Sequence, residues 1–144
     1  MEIESLIIGR MGRSADIPFI TNSWLNSYWD NGDWPKMMEK TVFMEGEHRM
    51  IHKFLKLSSS KVFVCCKYDD DDQILGYIVY SPHVLHWLYV KSPFRQQRIA
   101  RWLLGQVFSQ SSMTQLEFYT HRTKFIDWLK LSSTYNPYLF YNLL

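Results

Sequence analysis

An α+β fold with a mixed central sheet is what this sequence predicts, and three observations predict it. Apolar periodicity switches between strand-like and helix-like in the order β-α-α-β-β-β-α-β-α-β. Two consecutive strand-like runs, residues 61–68 and 74–81, flank a short polar loop and read as a hairpin. No repeat, linker or low-complexity stretch interrupts the 144 residues, so 1–144 reads as a single domain.

Each element has a local reason. "SLIIGRMG" (5–12) is a β-branched run that stops at Gly12, a first strand. In "SADIPFITNSWLNSYWDNGD" (14–33), Ser14 or Asp16 can cap a helix and Pro18 suits its first turn. Ile17, Ile20, Trp24, Leu25 and Tyr28 then recur at helical spacing, and "DNGD" ends the run. Residues 34–44 are aromatic and irregular, while "EGEHRMIHKFLKL" (45–57) is a second amphipathic helix closed by "SSS". The hairpin follows, its strands separated by "DDDDQ" (69–73). "HVLHWLYVK" (83–91) is a third strand of this run, bounded by Pro82 and Pro93. A helix over 98–110, a strand over 114–120, a helix over 121–131 and a strand within 136–144 complete the chain.

Composition narrows the function. Apolar residues are 47% and aromatics 17%, a globular balance with many rings for core and clefts. A net charge of +2 is too small for a nucleic-acid-binding surface. Cys65 and Cys66 are neighbours, so on a strand they point to opposite faces and do not pair with each other. They have no zinc-ligand spacing, and a reducing, cytoplasmic setting is expected. Neither a signal-peptide core nor an apolar run of about 20 residues is evident, so no membrane partner is expected. His48 and His52 have i, i+4 metal-ligand spacing but no third ligand near in sequence, and no metal is expected. "DDDD" reads as a solvated hairpin tip.

The stretch that carries chemistry is "HWLYVKSPFRQQRIARWLL" (86–104). A strand runs into a turn and a helix begins at once, with Arg95, Arg98 and Arg101 at the junction. The first amides of a helix have no partner within it, and the helix dipole adds partial positive charge there. Such an end holds an anion, and flanking arginines add bidentate bonds to phosphate oxygens. The same cations also fit an ordinary solvated helix start.

With these residues in its turn, the chain resembles the GCN5-related N-acetyltransferase (GNAT) superfamily. The superfamily's pattern is Arg or Gln, two residues, Gly, one residue, then Gly or Ala; here it falls on Arg95, Arg98 and Ala100. "NSWLNSYWDN" and "ILGYIVYSPHVLHWLYVK" are similar to small bacteriophage-encoded members, which would place the protein in a host cytoplasm. The resemblance implies an αβα-layered acyl-CoA N-acyltransferase fold with two splayed parallel strands, here 83–90 and 114–120. It implies acetyl-CoA as cosubstrate, its pantetheine arm bonded to the main chain near Leu88, Tyr89 and Val90. Its diphosphate would lie on Arg95, Gln96, Gln97, Arg98, Ile99, Ala100 and Arg101. It implies as partner an amine, protein or small molecule, that would attack the thioester directly.

Two residues depart from the superfamily. Arg98 replaces its usual glycine; it either bends outward and grips phosphate or fills the site and excludes the coenzyme. Trp128 stands where a tyrosine often serves as general acid, and an indole N–H cannot do so at neutral pH. Tyr119, Tyr135 or Tyr138 are the substitutes. For the base, His83, His86 and Glu117 are unranked candidates beside ordered water; the two histidines are three apart and face opposite sides unless a bulge intervenes. Trp24, Tyr28, Trp29 and Trp34 are candidates for a ring-lined acceptor pocket, or build core. An inactive binding, regulatory or virion-associated protein is the alternative to an enzyme. Exposed aromatics near the C-terminus would suit a homodimer edge.

Overall fold

The computed structural model describes residues 5–95, 98–110 and 116–142. Strand β1 (Ile7–Met11) leads through a 3₁₀ turn to helix α1 (Ile17–Asn31) and then to α2 (Lys40–Leu55). Strands β2 (Lys61–Lys67), β3 (Asp70–Ser81) and β4 (Val84–Val90) follow as an antiparallel meander. Helix α3 (Ile99–Gln110), β5 (Phe118–Tyr119), α4 (Lys124–Leu129), β6 (Thr134–Tyr135) and α5 (Tyr138–Tyr141) complete the order. The six-stranded sheet runs β1-β2-β3-β4-β5-β6, antiparallel up to β4 and parallel from β4 to β6. No described helix is long and apolar enough to cross a membrane.

Two cores lie on opposite faces of the sheet. Helices α3 and α4 cover Phe63, Cys65, Leu85, Leu88 and Val90 with Ile99, Leu103 and Ile126. Helices α1, α2 and α5 cover Val64, Cys66, Tyr77 and Trp87 with Trp24, Tyr28, Phe54 and Phe140. The adjacent cysteines thus fall on opposite faces and are free and buried, as strand alternation requires. The start of α1 is anchored by a bidentate Arg10–Asp16 pair at 2.7 and 3.0 Å. Asp16 Oδ2 also accepts the Arg13 amide at 2.7 Å.

Several boundaries differ from the sequence expectation. Helix α2 starts at Lys40 rather than 45, because Phe43 N–H reaches Glu39 O at 3.0 Å and the Phe43 ring is buried. The acidic run is not a loop: the turn is Tyr68–Asp69, and Asp70–Asp72 begin β3, with Arg13 Nη2 2.7 Å from Asp71. Opposite charge from the β1–α1 junction lets these carboxylates sit on a strand. The last strand is Thr134–Tyr135, and the segment after it turns into α5. Pro137 has no N–H for a ladder but suits a helix start, and Phe140 then buries against Trp24 and Phe54. Residues 114–115 of the expected strand lie outside the described residues.

Strand β3 touches β4 closely enough to demand glycine at one place. A Cβ on Gly76 would lie 2.6 Å from the Tyr89 carbonyl oxygen and 3.4 Å from Ile99 Cγ2. Gly76→Ala should therefore destabilise the fold by about 1–3 kcal/mol through overpacking. Urea unfolding measures this; an unchanged midpoint would mean that β4 yields freely at this contact.

Candidate active site

Strand β4 contains one extra residue. Its register with β3 runs Val90 to Trp87 against Gly76 to Val79, then resumes at Leu85 against Tyr80. His86 is the insertion, a β-bulge. The faces confirm it: Leu85 lies on the α3 side, His86 contacts Phe54 and Phe140 on the α1–α2 side, and Trp87 shares that side. Strand β5 stays with β4 only up to this point. The last register pair is Leu85 with Tyr119, and Thr120 N–H donates to Leu85 O at 3.1 Å. Beyond it the chain leaves β4, and Thr123 bridges Gly32 instead.

The gap so formed exposes main chain. Lys91 N–H donates to Leu75 O at 2.8 Å, which fixes the phase of the β3–β4 ladder. By alternation, Trp87 and Tyr89 turn their N–H and C=O groups toward β3, and Leu88 and Val90 turn theirs toward the gap. This corrects the expected trio, since the Tyr89 main chain belongs to the β3 side. A cleft of about 100 Å³ fills the gap, lined by β4 from Trp87 to Val90, by Ser27 and Asn31 of α1, and by Arg95, Thr123 and Phe125.

The cleft leads to the start of α3. Trp102 N–H donates to Arg98 O at 2.9 Å, so the amides of Ile99, Ala100 and Arg101 precede the first hydrogen bond of the helix. Arg98 has φ 67°, the left-handed conformation that glycine favours. Its side chain is exposed and lines, without closing, a cavity of about 290 Å³ shared with Val90, Arg95, Ala100 and Trp128. Arg95 Nε donates to Val90 O at 2.9 Å and lies where cavity and cleft meet. Arg101 is engaged elsewhere, donating to Leu129 O at 3.0 Å. Gln96 and Gln97 lie outside the described residues.

Compared by sequence, the chain matches no protein-family profile and none of the curated proteins. Solved structures do match in shape. A proposed acetyl transferase from Pyrococcus furiosus superposes with TM-score 0.63 at 13% identity, over 86% of this chain and 89% of that one. A candidate acetyltransferase from Clostridium difficile 630 gives 0.53 at 19% identity, over 74% and 72%. Ribosomal-protein-alanine N-acetyltransferase from Brucella melitensis biovar Abortus 2308 gives 0.50 at 12%, over 74% and 71%. The chain has the GNAT acyltransferase fold. In this GNAT-fold protein the mixed sheet, its parallel β4-β5-β6 part and helices on both faces all take their expected places.

The candidate bases are not in the cleft. His86 is 1% exposed and clamped: Nε2 meets Ser81 Oγ at 2.7 Å and Nδ1 meets Thr120 Oγ1 at 3.1 Å. Burial pushes its pKa down to about 3, so it stays neutral. His83 is not on the strand but in the β3–β4 turn at φ 65°, with Nδ1 3.9 Å from Glu117. His83 O accepts the Glu117 and Phe118 amides, so both candidates sit at the closed end of the strand pair. Strand rise puts them about 17 Å from Leu88.

The aromatic candidates divide. Trp24 and Tyr28 are fully buried core residues, stacked or edge-on against Trp87, and neither is among the described residues lining the cleft. Trp34 is half-buried with its edge to Tyr28 at 5.6 Å, and Trp29 lies under Lys36 and Lys40 at 5.9 and 6.0 Å. Tyr119 and Tyr135 stack 5.4 Å apart on the β5–β6 edge, their hydroxyl pKa values raised by burial, and neither is among the residues lining the cleft. Tyr138 is 68% exposed, and Trp128, 65% exposed, flanks Phe125 at the rim of the α3 cavity. Sequence reasoning missed Ser27, Asn31 and Thr123. The signal for the first two was present in the polar positions recurring along "TNSWLNSYWDN".

Acid should loosen this site. His86 and His121 are both held neutral by burial, His121 also by the nearby His86. Their folded pKa values are depressed, so the stability they contribute is present above about pH 6.5 and is lost as pH falls toward the folded values. Melting temperature should drop on acidification through this window. His86→Gln, which keeps polar contacts but does not titrate, should flatten the slope by up to about 1.4 kcal/mol per pH unit. An identical pH profile for the variant would show that His86 does not contribute.

Proposed function

We propose that this protein is an N-acetyltransferase that moves the acetyl group of acetyl-CoA to a primary amine. One observation carries the reading: a strand edge on which the Leu88 main chain and the Val90 N–H face the gap runs into an open cavity at a helix N-terminus, with Arg95 at the join, bonded to Val90 O. An extended pantetheine arm can bond to such an edge as an added strand would. A diphosphate suits the amides of Ile99, Ala100 and Arg101, with Arg95 and Arg98 at its oxygens. Acetyl-CoA supplies an activated thioester. An outward N–H of Leu88 or Val90 donates to the acetyl oxygen as charge develops on it.

Proton transfer needs a donor other than Trp128. Tyr89 is the tyrosine among the residues lining the cleft, and it takes this role in the reading. As the amine nitrogen bonds the carbonyl carbon and the C–S bond breaks, the sulfur takes the Tyr89 proton. The proton lost by nitrogen passes to water, and water reprotonates the phenolate. A second reading, a catalytically inactive binding, regulatory or virion-associated protein, is favoured by Trp128 and by the distance of His83 and Glu117 from the cleft.

Thermal melting with acetyl-CoA and with CoA tests the binding step. Ligand at 100 times Kd adds about 2.7 kcal/mol, a rise of roughly 5–10 °C for a chain of this size. Arg95→Glu should erase the rise; no rise for the native chain at millimolar ligand overturns the transferase reading and favours the inactive one. Release of free thiol across a panel of amines then separates enzyme from binder. In the enzyme, Tyr89→Phe should lower kcat by about 100-fold while the coenzyme-induced melting shift remains.

A further inference from the structure

We propose that helix α2 carries a site for a divalent transition-metal ion of the zinc type, chelated by the imidazoles of His48 and His52. The site stands apart from the cleft and does not depend on the transferase reading. Of the five histidines, His86 and His121 are buried in the bulge network and His83 lies in the β3–β4 turn. The remaining two share one face of α2.

Four residues make about one turn of helix, so side chains at that spacing stand one above the other. The rings of His48 and His52 are nearly parallel, at 9°, with centroids 5.9 Å apart. An ion about 2.0–2.1 Å from a ring nitrogen lies roughly 3.2 Å from that ring's centroid, so two imidazoles on one tetrahedral ion have centroids about 5.2 Å apart. The pair thus stands near chelating separation, and small rotations about χ2 turn one nitrogen of each ring toward a common point. Those rotations break nothing. Among the described residues, neither imidazole has a hydrogen bond or an ion pair.

Both rings line an open groove of about 700 Å³, with Leu25 of α1 and with Met44 and Glu45 from the preceding turn of α2. Glu45, three residues before His48, puts a carboxylate on this face, where it can accept a hydrogen bond from a water on the ion. Arg49 and Lys53 also line the groove and oppose a cation held by charge alone. That selects between classes of ion. Calcium and magnesium need several oxygen ligands, which one carboxylate beside two basic side chains does not supply. Zinc, copper and nickel ions bond imidazole nitrogen directly, so the site holds them by coordination rather than by net charge. An ion here ties two consecutive turns of α2 and favours the folded helix over the unfolded chain.

Calorimetric titration of the full chain with Zn²⁺ tests the site. One equivalent should bind. His48→Gln or His52→Gln should weaken that binding by roughly tenfold or more, while His83→Gln should not. Neither side chain is buried, so the metal-free variants should melt with the native chain. Zn²⁺ should raise the native melting temperature by several degrees and EDTA should reverse the rise, which both variants should lack. In the imidazole NMR spectrum two histidine signals should move together on titration, the pair altered in the variants. Excess Mg²⁺ should not displace Zn²⁺; displacement would assign the ion to the carboxylates of Asp70, Asp71 and Asp72 and overturn the proposal. So would a lack of saturable binding at millimolar Zn²⁺, or equal binding by His48→Gln, His52→Gln and the native chain.

Discussion

The bulge at His86 is the constraint on which the rest of the site depends. One extra residue in β4 turns its strand direction away from β5 and reverses the alternation of faces. The imidazole holds the bulge between Ser81 at the end of β3 and Thr120 just after β5, and Thr120 Oγ1 also meets His121 Nδ1 at 2.8 Å. Each such bond contributes about 1 kcal/mol net, but a buried polar group left unpaired costs more. The network is therefore more effective at specifying where the strand breaks register than at adding stability. Trp87 follows the bulge onto the α1 face and stacks on Trp24 at 5.7 Å, which fixes the direction of the rest of the strand.

From this one irregularity the site acquires a division of labour. Main-chain groups of Leu88 and Val90 face the gap, while the side chains of the same residues fill the α3 core. The strand edge at the gap is thus supported by packing rather than by special residue types, and almost any apolar side chains that fill the core would preserve it. The α3 end works differently. There Arg98 accepts a left-handed backbone that costs an L-residue about 1–2 kcal/mol. In the coenzyme-binding reading, a guanidinium at the phosphate offsets that strain, which accounts for an arginine where glycine would be conformationally easier.

The α1 face of the sheet is dense with rings. Trp24, Tyr28, Trp87, His121 and Phe140 meet at centroid distances of 4.7–5.9 Å. This aromatic block sets the position of α1, and hence of its polar outer rows beside the cleft. Trp24 and Tyr28, first singled out as candidates for a ring-lined pocket, are in this way packing residues that hold α1 in place. Their chemistry is packing, and the contact with solvent belongs to the serines and asparagines one helical step away.

Most elements, the strand–turn–helix at 86–104 and the opposite facing of Cys65 and Cys66 were legible in the residues alone. They depend on period, breakers and the stereochemistry of neighbours, which a short window contains. The bulge was not legible, and with it went the positions of His83 and His86, because strand alternation read from sequence assumes one residue per partner. Nor could sequence tell that Trp24 and Tyr28 face inward while Ser27 and Asn31 face the cleft, or that Asp71 and Asp72 pair with Arg13. A side of a helix or a charge on a strand is decided by what packs against it, and those partners lie tens of residues away. The sequence alone determined the order of elements as far as α4 and the cation-rich helix start; the tertiary structure decided where the sheet opens, because only cross-strand contacts select the residue that is left over.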